Sequence, residues 1–212
     1  MTQYDRDPRD HDPGGLVISA LGVVLDQDRG SLPFTLVHGE PLVACAAWAL
    51  GEAGVTLVDT GTPWSEMVAA GEPVVLHDPL CPLTPPGFIA ECVRAADDAA
   101  DDTVVVGVRP VTDTVKAVEG GYVGSTVDRD ELVQVASPVI LPAAVVASMD
   151  NLPASDLASL VARLRETHPV VTLEAPPTAR RVAGPDDLRL LEALTGPESV
   201  GQKSAWGLRN DG

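Results

Sequence analysis

"DTVVVGVRPVTDTVKAVEGGYVGSTVDRDEL", residues 102–132, contains two kinds of strand. Its opening, residues 102–108, is a continuous apolar run of the kind buried on both faces inside a parallel sheet. From Arg109 onward apolar and polar residues alternate around Gly120–Gly121, which reads as a β-hairpin. No helical pattern lies near enough in sequence to cover that hairpin, so residues 109–138 are expected to project as an arm. A projecting arm leaves strand edges and an apolar face uncovered, and both suit packing against a second copy of the chain. The polar residues on the arm are unusual: Asp113, Thr114, Lys116, Asp128 and Arg129 gather in a chain that has lysine only at 116 and 203.

On either side of this stretch, strands alternate with helices. "GLVISALGVVL" (15–25) begins as a buried strand, "PLVACAAWALGEAG" (41–54) is a helix between Pro41 and Gly54, and "VTLVD" (55–59) and "PVVLHD" (73–78) are strands. "PPGFIAECVRAADDAA" (85–100) is a helix with Phe88, Cys92, Ala95 and Ala96 on one face. Helical patterns follow at about 142–149 and 153–166, then a strand at 169–175 and a helix at 185–194 with acids in its first turn. The alternation predicts an α/β fold, a doubly wound and mostly parallel sheet, with ligands at the carboxyl ends of its strands. Residues 15–195 form one domain. Residues 1–14 and 196–212, polar and rich in Gly, Pro and Asp, read as flexible tails.

Composition excludes several classes of function. The net charge of −17, from 31 acids against 14 bases, disfavours nucleic acid and anionic lipid as partners. No apolar run approaches the roughly 20 residues of a membrane span, and the charged N-terminus is unlike a signal peptide. The three cysteines, Cys45, Cys81 and Cys92, form no CxxC pair and read as buried small hydrophobes in a reducing compartment. The expected location is the cytoplasm.

The segments "VVLHDPLCPLTPP", "VRPVTDTVK", "TVDRDELVQVASP" and "RRVAGPDDLRLLEAL" occur in the order and spacing of the 2-C-methyl-D-erythritol 4-phosphate cytidylyltransferases, and the chain resembles that family over roughly residues 15–195. The resemblance implies a Rossmann-like nucleotidyltransferase fold, a homodimer whose β-arms reach into the partner's site, and transfer from CTP to a sugar-alcohol phosphate in isoprenoid biosynthesis. It implies that Thr114 and Arg129 on the arm hold the phosphorylated polyol, where a guanidinium fork and a hydroxyl suit phosphate oxygens. A surface ion pair between Asp128 and Arg129 is the competing reading. Asp78 matches the aspartate that helps hold magnesium in an active member, although an Asp before Pro79 also suits a local turn. Ser137 stands where the family has threonine, and Arg181 where it has a substrate-binding lysine. His77 reads as a packed histidine and not as a base.

The nucleotide side departs from the family pattern. A Gly-rich loop of the form PAAGxGxR, then Pro-Lys, wraps the triphosphate in the family; here the stretch is "SALGVVLDQDRGSLP", residues 19–33. Gly22 is retained as the candidate nucleotide-binding residue, but Val23 and Val24 follow it. Asp26 falls where the loop arginine belongs, and Leu32 lies near the expected lysine, beside Pro33. Arg29 takes the arginine's place only if the loop is shifted. Branched side chains and a carboxylate oppose a triphosphate sterically and electrostatically. The base-reading Gly-Gly…Arg…Ser-Val pattern is missing from residues 59–72, and "HDPLCP" lacks the arginine of the family's "HDAARP". The leading expectation is a catalytically degenerate relative that keeps the sugar-phosphate side and pairs with itself or with an intact paralogue. The alternatives are an active cytidylyltransferase with an unusual loop, using magnesium, and a transferase with a changed donor or substrate.

Overall fold

The computed structural model describes residues 19–111, 115–119, 122–128, 132–152 and 156–196. Thr114, Arg129 and nearly all of both expected tails lie outside these residues. A six-stranded sheet organises the fold, in the order β10-β6-β9-β5-β1-β4. Its strands are β1 (Leu21–Val24), β4 (Thr56–Leu57), β5 (Val74–His77), β6 (Val104–Pro110), β9 (Val133–Leu141) and β10 (Val170–Glu174). Every neighbouring pair is parallel except those made by β9, which runs antiparallel to both β5 and β6.

Alternation along the central strands divides the core into two layers. Val74, Leu76, Val104, Val106, Val139 and Leu141 face Trp64 and Met67 of α2 (Trp64–Ala70), Val145 and Val146 of α4 (Ala143–Ala147), and Leu157 and Leu160 of α5 (Leu157–Leu164). Val75, Val105 and Ile140 face the other way. They meet Ala49 and Leu50 of α1 (Leu42–Glu52) and Phe88, Ile89, Cys92 and Val93 of α3 (Pro86–Asp97). Burial on both faces explains why these strands read as unbroken apolar runs. A smaller cluster joins Val37 of β2 (Leu36–Val37), which pairs with β3 (Glu40–Pro41), to Leu42, Leu80, Val182 and Leu191 of α6 (Pro185–Thr195).

β7 (Val115–Glu119) and β8 (Tyr122–Val127) pair antiparallel as a separate two-stranded sheet, which is the expected hairpin. Residues 133–138, assigned to the arm in the sequence reading, have a different role. They open β9, whose exposure falls from 58% at Val133 to zero at Val139 as it passes from the arm's base into the middle of the sheet. Gly107 makes that central position possible. A Cβ there would come within 2.9 Å of the Ser137 carbonyl oxygen, and the β6–β9 register shifts between Val106 and Val108 to accommodate the approach.

Candidate functional site

Arg29, Asp78, Ser137 and Arg181 converge at the carboxyl ends of β1, β5 and β10. The chain leaves β1 toward β4 on one side, yet β5 lies on the other, so ligands are expected in the crevice between β1 and β5. β1 stays close to β5 one residue beyond its end, where the Leu25 N–H donates to the His77 carbonyl at 2.9 Å. The loop 25–31 then turns through left-handed conformations at Asp28 (φ 57°) and Gly30 (φ 59°). That turn brings Arg29 back over the sheet.

The Arg29 guanidinium lies 3.1 Å from Asp78 Oδ2, and Arg181 Nε donates to the same oxygen at 2.9 Å. Asp78 is 4% exposed. Its Oδ1 accepts the Leu80 N–H at 2.9 Å, an Asx turn that fixes the carboxyl group. The Val182 N–H in turn donates to the Leu80 carbonyl at 2.6 Å, which anchors Arg181 beside it. Farther along the edge, Arg109 donates to the carbonyls of Ala175 (3.2 Å) and Pro176 (2.7 Å), pinning the chain that leaves β10 toward Arg181.

Ser137 supports the site from β9. Its hydroxyl oxygen accepts the Asp78 N–H at 3.0 Å, and the same hydroxyl is hydrogen-bonded to His77 Nδ1. His77 is fully buried, and burial pulls its pKa down from 6.5 to about 4, so the ring is neutral at pH 7. Without solvent access it has no path to a ligand. Burial, reinforced by the Asp78 charge, pushes the Cys81 thiol far above the ordinary cysteine range, so it supplies no thiolate.

One carboxylate oxygen faces two guanidiniums, and Arg29 is also within electrostatic reach of Asp156. Such a pair of guanidiniums suits the oxygens of an anion. The cluster's donor set does not fit a resident divalent cation, which seeks several free oxygen ligands. Asp78 Oδ2 already faces both arginines and Oδ1 is held by Leu80. Among the described residues no group of three His, Cys, Asp or Glu side chains could hold a metal ion.

Of the residues singled out in the sequence, Asp78, Ser137 and Arg181 come together here. Gly22 lies elsewhere: it sits within β1 beneath α1, where a Cβ would come 2.6 Å from Val55 Cγ1 and 3.3 Å from Leu50 Cδ1. Its small size serves helix–strand packing. The nearby cavity, about 730 Å³, is lined by Cys45, Trp48, Leu83, Thr84, Thr178 and Thr195 among others and takes in none of the clustered charges.

Residues 36–196 match the family profile described as "IspD: 2-C-methyl-D-erythritol 4-phosphate cytidylyltransferase". The chain belongs to this cytidylyltransferase family. It is 34% identical over 172 residues to the 2-C-methyl-D-erythritol 4-phosphate cytidylyltransferase of Corynebacterium diphtheriae, covering 77% of this chain and 64% of that one. It is 40% identical over 126 residues to the enzyme of that name from Nocardia farcinica, covering 57% and 52%. The chain thus spans less than two thirds of the length of these relatives. The crystal structure of the cytidylyltransferase from Thermus thermophilus is similar at a TM-score of 0.61 with 26% identity, covering 84% of this chain and 98% of that one. The family match begins at residue 36, so β1 and the loop carrying Asp26, Asp28 and Arg29 lie before it. Among the described residues no helix is long and apolar enough to cross a membrane.

Proposed function

We propose that this member of the cytidylyltransferase family binds a small phosphorylated polyol at the Arg29–Arg181 end of its sheet. Its transfer of a cytidylyl group from CTP is several orders of magnitude slower than that of an intact relative. The observation that carries this reading is the loop after β1. Where a triphosphate needs small residues and cations, residues 25–31 offer Gly30 and Ser31 but also Leu25 and the carboxylates Asp26 and Asp28, and their one cation, Arg29, is already turned onto Asp78. Attack on an α-phosphate builds charge on its oxygens, and losing one preorganised donor to such charge typically costs about 2.7–4 kcal/mol. Several such donors are replaced here, although their losses do not add fully. The acceptor side keeps chemistry suited to a phosphorylated polyol in Arg181 and Ser137. In this reading Thr114 and Arg129 complete it from the arm of a second copy, so the working unit is a homodimer joined through residues 109–138.

A pyrophosphate-release assay with CTP, magnesium and methylerythritol phosphate, run beside an intact family enzyme, tests the reading. Turnover at least about a thousandfold below the control is expected from these losses; turnover within tenfold of it would overturn the proposal. A second reading, an active cytidylyltransferase with an unusual loop, draws support from Arg29, which reaches the carboxyl edge where a loop arginine would act. Loss of that turnover in Arg29→Ala would establish it.

A further inference from the structure

The family resemblance gives Asp78 to a metal, but its surroundings suit another role. We infer that Asp78 is the built-in counter-ion of an arginine pair, and that the site so formed takes a phosphate group without a divalent cation, the phosphate competing with the Asp78 carboxylate for the two guanidiniums. This deepens the acceptor side of the proposed function and rests on it only for the identity of the natural ligand.

Three features carry the inference. First, both arginines contact the same oxygen, Oδ2, at 3.1 and 2.9 Å, an arrangement that places positive charge where a metal ion would have to bind. Second, the charges are sheltered: the Asp78 side chain is 5% exposed, that of Arg29 11% and that of Arg181 33%. Removing one partner from a buried ion cluster is costly, and without Asp78 the anion that both guanidiniums share is gone. Third, the arginines come from separate segments, the β1 loop and the stretch after β10, and Asp78 is the group on which they meet. Arg181 is the more exposed of the two, which leaves solvent access to the pair from its side. Guanidinium forks match phosphate oxygens as well as they match a carboxylate.

Asp78→Asn isolates this role. The amide keeps an oxygen that can accept the Leu80 N–H while placing an NH2 group, which cannot accept from arginine, at the Oδ2 position. Phosphate and pyrophosphate binding are measured by calorimetry and by thermal shift on the full chain, in EDTA and in magnesium. Wild-type binding of phosphate is expected to be the same with and without magnesium. Asp78→Asn should melt earlier than wild type in phosphate-free buffer, regain stability as phosphate is added, and bind phosphate at least about tenfold more tightly because a competing like charge is gone. Arg29→Gln and Arg181→Gln should each weaken binding. Wild-type phosphate binding that depends on magnesium, or Asp78→Asn binding that is unchanged or weaker, would overturn the inference. If Asp78→Asn does not fold even with phosphate present, Arg181→Gln decides: unchanged phosphate affinity refutes the site. Magnesium-independent phosphate binding in a chain that turns CTP over normally would sink the proposed function and leave this inference standing. A CTP-inert chain that binds methylerythritol phosphate but needs magnesium to do so would do the reverse.

Discussion

His77 ties stability to pH in a way that can be worked from its surroundings. The ring is fully buried, Nδ1 is bonded to Ser137, and among the described residues Nε2 has no hydrogen-bond partner. Protonation would place a charge in the core, away from water. That is the physical cause of a pKa near 4 where an exposed histidine has 6.5. The sign follows from linkage. Below pH 6.5 the unfolded chain takes up a proton that the folded chain refuses, so the His77 contribution to stability is lost as pH drops from 6.5 to about 4 and changes no further below that. The full difference is worth about 3 kcal/mol, of which about 2 kcal/mol is lost by pH 5. Other ionisable groups add their own pH dependence, so the measurement is a difference of differences. Urea unfolding of wild type and His77→Leu at pH 7 and pH 5 should show the wild type losing about 2 kcal/mol more than the variant. Equal losses, or a His77 ring proton titrating near 6.5 by NMR, would refute the reasoning.

Other substitutions separate packing from chemistry. Gly22→Ala should destabilise the fold by about 1–3 kcal/mol in chemical unfolding through the clash with Val55 and Leu50, while phosphate affinity stays unchanged. Sedimentation of the full chain should give about twice the chain mass, and deletion of residues 115–125 should give monomers, as expected of an arm with uncovered edges. A strictly monomeric wild type would refute the arm-mediated dimer.

Much of the fold could be read in advance because it is written in local pattern. The apolar runs of β5 and β6, the proline-opened segments of α1 and α3, and the alternation of strand with helix each follow from local sequence pattern. Asp78, at a strand's carboxyl end, Ser137 and Arg181 are legible by resemblance to the family and not by that logic. Two elements escaped it. α2 went unread, since the Gly- and Pro-rich opening of residues 59–63 resembles a loop and the helix itself is only seven residues long. β9 was half hidden because Val133 and Gln134 are exposed and continue the arm's alternation before the strand enters the core.

The sequence by itself determined the α/β class, the paired hairpin, the acidic balance and the family. The tertiary structure alone decided which charged residues meet. Arg181 lies 103 positions from Asp78 in the chain, and Arg29 reaches it only because Asp28 and Gly30 turn the loop back over the sheet. Gly22, a candidate for nucleotide binding by its motif, becomes a packing residue once α1 and Val55 lie over it. Burial periodicity is a property of neighbouring residues and survives in one dimension. An ion cluster or a close backbone approach depends on distances between segments remote in sequence, and those distances exist only when the sheet has brought its strand ends together.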